Sequence, residues 1–187
     1  MLTNRTIKIH LATVIVMALS AASAWSADIQ PRIHVSGAVT QPSDWSAGEL
    51  KERLSSDLTT IQFTSQGKPH SATAVPLLSL LKAAGVHTDL KESPGADPRQ
   101  KNQPLRLVIV ARGRDGYTAV FSLAEMLPEM ANEKVWLMFD TDGTPLSESD
   151  GPIRLIVPSD AKPGRSVRQL GSIEILDETL PARVPAR

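Results

Sequence analysis

Apolar and polar positions alternate in twos along much of this chain, and stretches with helical spacing are short and few. Ile33, Val35 and Val39 alternate with His34, Ser36 and Ala38, which predicts a half-buried strand. Gln41-Pro42-Ser43-Asp44 breaks it. Ser46 and Glu49 have the spacing of a capping box, with Leu50 and Leu54 one turn apart, so a short helix is predicted from Ala47 to Ser55. The period of two returns from Leu58 to Thr64, with Ile61 and Phe63 on one face. Gln66-Gly67-Lys68-Pro69 is a turn, and His70 to Ala74 pairs back as a hairpin. Pro76 suits the first position of a helix whose buried stripe is Leu77, Leu78, Leu80, Leu81 and Ala84, with Gly85 as its stop.

Thr88 to Pro104 is rich in Pro, Gly, Asp, Lys and Gln and reads as a solvated loop inserted within one domain. Leu105 to Ala111 is an apolar run broken only by Arg106, a buried strand. A turn at Gly113-Arg114-Asp115-Gly116 leads into a returning strand from Tyr117 to Phe121. Ser122 and Glu125 form a second capping box over one helical turn that Pro128 limits. Lys134 to Asp140 predicts a strand with Val135, Leu137 and Phe139 on one face, and Asp142-Gly143 a tight turn. Ile153 to Val157 and Ser172 to Leu176 are the last strands. Many short strands with two or three short helices, and no repeated βαβ alternation, predict an α+β domain with a mixed sheet.

The first residues change the picture of where this domain works. Arg5 and Lys8 precede an apolar run from Leu11 to Ala22, too short to span a bilayer, and Ala22-Ser23-Ala24 has the small-residue pattern of a cleavage site. Residues 1–24 therefore read as a signal peptide, residues 28–178 as the domain and residues 179–187 as a flexible tail; the alternative for the first segment is an uncleaved anchor. The expected location is periplasmic or secreted, with no transmembrane segment in the mature chain. Removing residues 1–24 takes away Arg5 and Lys8 and no acid, leaving 18 basic against 20 acidic residues. That balance supplies no field for nucleic acid, and only 4% of residues are aromatic, too few for a stacking platform.

Several phrases in the C-terminal half carry more. They are Arg114-Asp115-Gly116-Tyr117, Phe121-Ser122-Leu123-Ala124-Glu125, Asp142-Gly143-Thr144-Pro145-Leu146, Gly151-Pro152-Ile153-Arg154 running on to Pro158, and Arg165-Ser166-Val167-Arg168. Together with Val75-Pro76-Leu77-Leu78 and the helix that follows, in this order and spacing, they resemble the sulfite-oxidase-type molybdopterin-binding domain family from about Ile33 to Leu176. The resemblance implies that fold. It also implies that Arg165, Ser166, Val167 and Arg168 lie along the pyrophosphate of a pterin cofactor, with Arg112 and Tyr117 as further members of such a site. Residue chemistry alone leaves two readings open for Arg165 and Arg168. They can hold an anion through paired N–H groups, or they can form ion pairs within the fold. For Asp115, Gly116, Asp142 and Gly143 a turn is reason enough.

Catalytic members of that family bind molybdenum through a cysteine thiolate, and this chain contains no cysteine. Thr64 and Ser65 occupy the neighbourhood where the resemblance puts it. A hydroxyl is a harder ligand and harder to deprotonate than a thiol. The signal carries one arginine in Asn4-Arg5-Thr6-Ile7-Lys8 and not the pair that exports folded, cofactor-loaded proteins. His34, His70 and His87 lack metal spacing, and Asp140-Thr141-Asp142-Gly143 lacks the closing glutamate of a calcium loop. Glu148 and Asp150 read as loop charges. The expectation is an exported domain without molybdenum catalysis, binding no cofactor and holding a small anionic ligand or a periplasmic or membrane protein partner. The alternative is a molybdopterin-dependent oxidoreductase in which Ser65 or Thr64 replaces the thiolate, and a third reading docks a partner on the loop from Thr88 to Pro104.

Overall fold

The computed structural model describes residues 31–90 and 102–178. Residues 1–24, read as a signal peptide, most of the inserted loop and residues 179–187, read as a tail, lie outside the described residues. Strand β1 (Arg32–Gly37) turns into β2 (Ser43–Ser46) and helix α1 (Ala47–Arg53). The hairpin of β3 (Thr59–Ser65) and β4 (Lys68–Pro76) leads into α2 (Leu77–Ala83). After the insertion come β5 (Leu107–Gly113), β6 (Thr118–Ser122), α3 (Leu123–Met126) and β7 (Trp136–Met138). The chain ends with the small β8 (Asp140–Thr141) and β9 (Thr144–Pro145) pair, β10 (Arg154–Ile156) and β11 (Leu170–Asp177).

The strands form a five-stranded sheet in the order β2-β1-β11-β5-β6, a four-stranded sheet in the order β10-β7-β4-β3, and the β8–β9 ribbon. Only β1 and β11 pair in parallel, so the first and last strands are joined in the middle of the larger sheet. One face of each sheet feeds the main core. Ile33, Val35, Ile109, Phe121, Ile173 and Ile175 come from the larger sheet, and Val75, Leu137 and Leu155 from the smaller. Leu50 of α1 and Leu77, Leu80 and Leu81 of α2 join the same cluster. The other face of the smaller sheet carries a second, lesser cluster of Ile61, Ala72, Ala74, Met138 and Ile156, edged by Phe63, Trp136 and Leu146. Successive residues of a strand point to opposite faces. Phe63, Ser65, Lys68, His70 and Arg154 therefore share this second face.

Both predicted capping boxes form: Glu49 N donates to Ser46 Oγ at 3.2 Å while Glu49 Oε2 accepts from Ser46 N at 2.8 Å, and Ser122 with Glu125 repeats the arrangement. Three local expectations change. Ser43 and Asp44, read as part of a break, begin the edge strand β2, which inserts Trp45 into the core and satisfies its Nε1–H on Ser43 Oγ at 2.8 Å. Pro76 ends β4 with extended backbone (ψ 137°) and caps α2 from outside. The run from Lys134 to Asp140 splits into β7 and β8 because it is covered on both sides: Val135, Leu137 and Phe139 enter the main core, and Met138 the second cluster. No helix among the described residues is long and apolar enough to cross a membrane.

Candidate functional site

The β3–β4 hairpin pairs Phe63 with His70 and Ser65 with Lys68. This places an apolar ring, a hydroxyl, an ammonium and an imidazole side by side on one surface. Two hollows of about 370 Å³ and 440 Å³ open there. Both are lined by Phe63, Ser65, Gln66, Arg154 and Arg168, which form their common wall. The inner hollow continues along Val157, Pro163 and Ser166, the outer one along Lys68, His70 and Leu146.

Arg154 reaches the surface from β10 and meets Asp150 Oδ1 at 3.3 Å. Its Nε is buried with no hydrogen-bond partner. Burial pushes the guanidinium pKa down against the pull of Asp150, and the neighbouring Arg168 pushes it further the same way. Such a donor favours an acceptor from outside the protein, since an unmade hydrogen bond at a buried cation is costly. Arg168 shares Asp150 at 3.2 Å but is 60% exposed at the side chain. The loop that carries Asp150 is fixed by Gly151, whose φ of +80° and close approach exclude a side chain: a Cβ there would sit 2.6 Å from Gln169 Cα. Gln169 N in turn donates to Asp150 O at 2.8 Å.

The segment Arg165 to Arg168 is divided by its own alternation. Val167 is fully buried and exchanges two 2.9 Å backbone hydrogen bonds with Leu155. Its neighbours Ser166 and Arg168 line the cleft. Arg165 turns away from it. Its Nε and Nη2 grip the two oxygens of Asp160 at 2.9 and 2.5 Å, Nη1 takes Glu125 Oε2 at 2.8 Å, and the guanidinium lies 5.5 Å from the Phe121 ring centroid. These carboxylates raise the Arg165 pKa. Glu125 also caps α3, so Arg165 ties the β10–β11 loop to that helix. Tyr117 supports the same loop by donating its hydroxyl to Gly164 O at 2.6 Å. Arg112 pairs with Glu174 at 3.3 Å on the larger sheet and does not line the cleft. Of the residues singled out from the sequence, Ser65, Ser166 and Arg168 come together there; Arg165, Val167 and Tyr117 build its supporting loop.

Lys68 and His70 were not singled out as site residues, although a hairpin in this register places them beside Phe63 and Ser65. Arg154, which the sequence offers only as part of the Gly151-Pro152-Ile153-Arg154 phrase, is both a salt-bridge partner of Asp150 and a cleft residue. His70 Nδ1 lies 2.7 Å from Asp142 Oδ2, and Asp142 Oδ1 accepts from Ser71 N at 2.8 Å. The Ser71 N–H first, and then His70, hold the Asp142 carboxyl below its usual range. Among the described residues no group of three or more His, Cys, Asp or Glu side chains is arranged to hold a metal ion.

Comparison with known proteins came last. A family model described as the oxidoreductase molybdopterin binding domain matches residues 26–184. Among solved structures, the sulfane dehydrogenase SoxCD from Paracoccus pantotrophus superimposes with a TM-score of 0.55 at 20% identity, over 79% of this chain and 38% of that one. The likeness is one of fold, and this chain spans well under half the length of that one. No curated protein matches the chain.

Proposed function

Starting from the fact that this chain belongs to the oxidoreductase molybdopterin binding domain family, we propose that it is an exported anion-binding module that keeps the family's cleft without molybdenum catalysis. The cofactor implied by the family has two demands, a soft donor for the metal and cations for its phosphate. The first is not met. The chain has no cysteine, and the strand end at the cleft offers the hydroxyls of Thr64 and Ser65. Among the described residues no group of three or more His, Cys, Asp or Glu side chains is there to complete a metal site around them. A hard, protonated hydroxyl is a poor substitute for a thiolate on a metal that prefers sulfur. The second demand is met by Arg154 and Arg168. The observation that carries the reading is the pair of guanidiniums, Arg154 and Arg168, on the wall common to both hollows, with Arg154 desolvated and its Nε–H unpaired among the described residues.

The test uses the full chain purified from its own compartment. Elemental analysis should find molybdenum far below one per chain, and calorimetric titration should find a small anion bound, with Arg154→Gln and Arg168→Gln each weakening it. Molybdenum at one per chain overturns the reading. The rival, an oxidoreductase with a hydroxyl ligand, draws on Ser65 lining both hollows. It requires that Ser65→Ala abolish metal retention.

A further inference from the structure

The outer hollow holds an arrangement that a single-anion site does not need. His70 is fixed on two sides. Its ring stacks on Phe63 at 5.6 Å between centroids, and its Nδ1 is taken by Asp142 at 2.7 Å. Nε2 is therefore the nitrogen left for a ligand, the usual consequence of a carboxylate on the other ring nitrogen. Lys68 lines the same hollow, and Arg154 and Arg168 close its inner end. The cations thus fall into two groups: two guanidiniums at the wall shared by both hollows, and an ammonium with an imidazole in the outer hollow alone.

The charge balance makes the imidazole decisive. Lys68 on β4, Arg154 on β10 and Arg168 in the loop before β11 face Asp150, which pairs with both arginines. Asp142 in the β8–β9 turn sits on His70 itself, and Asp140 of β8 accepts from Thr73 N at 3.0 Å. β3 contributes Phe63 and Ser65 and no charge. Three fixed cations meet three carboxylates, so the state of His70 sets the sign of the local field.

We propose that the cleft takes a compact organic dianion, one anionic group at Arg154 and Arg168 and the other at Lys68 and His70, and that His70 takes up a proton as the ligand binds. This rests on the anion-binding reading above and names its ligand class and its control. Binding strengthens as pH falls, because the proton taken up adds a cation beside the ligand. One added charge within roughly 4 Å of an anion in a solvated site changes affinity about fivefold to tenfold.

Probes that do not titrate isolate the protein's proton. Calorimetry of the full chain with ethane-1,2-disulfonate and with methanesulfonate, at pH 5.5 and 8.0 and constant low ionic strength, reads both parts of the proposal. The disulfonate should bind the more tightly, about fivefold to tenfold better at pH 5.5 than at 8.0, with proton uptake visible as a buffer-dependent heat. His70→Gln should weaken the disulfonate, most at pH 5.5, and lose the pH response, while Lys68→Gln should weaken it at both pH values and keep the response. Chemical shifts of the His70 ring in the wild type, followed against pH with and without disulfonate, give the same answer independently of any variant. Binding of both probes with equal affinity, or with no pH response, overturns this proposal and leaves the anion-binding module standing. No binding of either probe at either pH overturns both.

Discussion

Replacing Arg165 with methionine tests whether the β10–β11 loop is held by ion pairs or merely covered by them. Two hydrogen bonds to Asp160 and one to Glu125 are lost, and so is the contact over Phe121. The bidentate pair with Asp160 is sheltered, with side-chain exposures of 33% and 18%. Charge-assisted bonds in such a setting are worth about 1.5–3 kcal/mol in all after partial solvent screening. Glu125 is 39% exposed, and its arm is discounted to a surface value of about 0.5 kcal/mol. The ring contact adds about 0.5 kcal/mol. The sum is roughly 2.5–4 kcal/mol, with methionine keeping most of the stem packing while Asp160 loses its counterion. In a domain of this size about 2–4 °C of melting temperature goes with each kcal/mol, so thermal unfolding followed by circular dichroism should move down by roughly 5–16 °C. Arg112→Met is the internal control. Its partner Glu174 is 41% exposed and Arg112 itself 47%, so the expected loss is within about 1 kcal/mol. Adding Asp160→Asn to Arg165→Met should cost less than Asp160→Asn alone, a coupling of about 1–2 kcal/mol. An Arg165→Met melting point within about 1 °C of wild type, or indistinguishable from that of Arg112→Met, refutes the assignment.

Two further predictions concern the frame of the domain. Ser46 N–H, then Arg32 and the Ser46 hydroxyl, hold the Glu49 carboxyl at about 2. A folded value below the unfolded one of about 4.3 means a contribution that is complete above that pH and is lost as pH falls toward about 2. Urea unfolding at a series of acid pH values should therefore show a smaller loss of stability in Glu49→Gln than in wild type, and equal pH dependence counts against the capping box as its source. At Gly37, φ is +93° and a Cβ would stand 2.0 Å from the backbone oxygen of Ile175, its register partner in β11. Gly37→Ala should cost about 3 kcal/mol or more in the urea midpoint, against about 1 kcal/mol for Gly67→Ala, where φ is +75° but nothing lies within 4 Å. Similar midpoints for the two refute the close approach.

What the sequence made legible is the chemistry that is local. Both capping boxes and the stripe of α2 depend on residues within a few positions of one another and form as expected, while the β3–β4 turn tightens to Gln66-Gly67, with Lys68 and Pro69, read as part of it, already paired in β4. Strand β2 escapes notice because four residues with a single apolar member carry no period; Trp45 is explained only by the core that receives it. The run through β7 keeps its alternation, with Val135, Leu137 and Phe139 in the main core, and nothing local in the sequence marks where pairing passes from β7 to β8. The cleft is harder still. Its wall draws on β3, β10 and the loop before β11, and no spacing in the sequence brings these together. Arg165 and Arg168 show the limit most clearly. They look like a matched pair, yet an odd separation in an extended segment sends them to opposite sides, one to carboxylates and one to the cleft.

The placement of that cleft bears on how a member of this family can part with its metal ligand and keep its fold. The main core joins the larger sheet, both longer helices and the inner face of the smaller sheet, and Ser65 belongs to neither hydrophobic cluster. It stands at the turn end of the β3–β4 hairpin, half-buried. A change between thiol and hydroxyl at such a position falls among surface substitutions worth within about 0.5 kcal/mol. The fold therefore does not depend on which donor stands there, whereas Gly151, Val167 and the Arg165 latch shape the loop whatever the loop binds. The cations have a different standing from both. Arg154 is desolvated beside a second guanidinium with one donor left unmet, an arrangement that costs stability and is repaid only when an anion arrives. That desolvated pair of guanidiniums, beside a strand end that carries hydroxyls, is what supports the proposal of a changed ligand chemistry over that of an abandoned site.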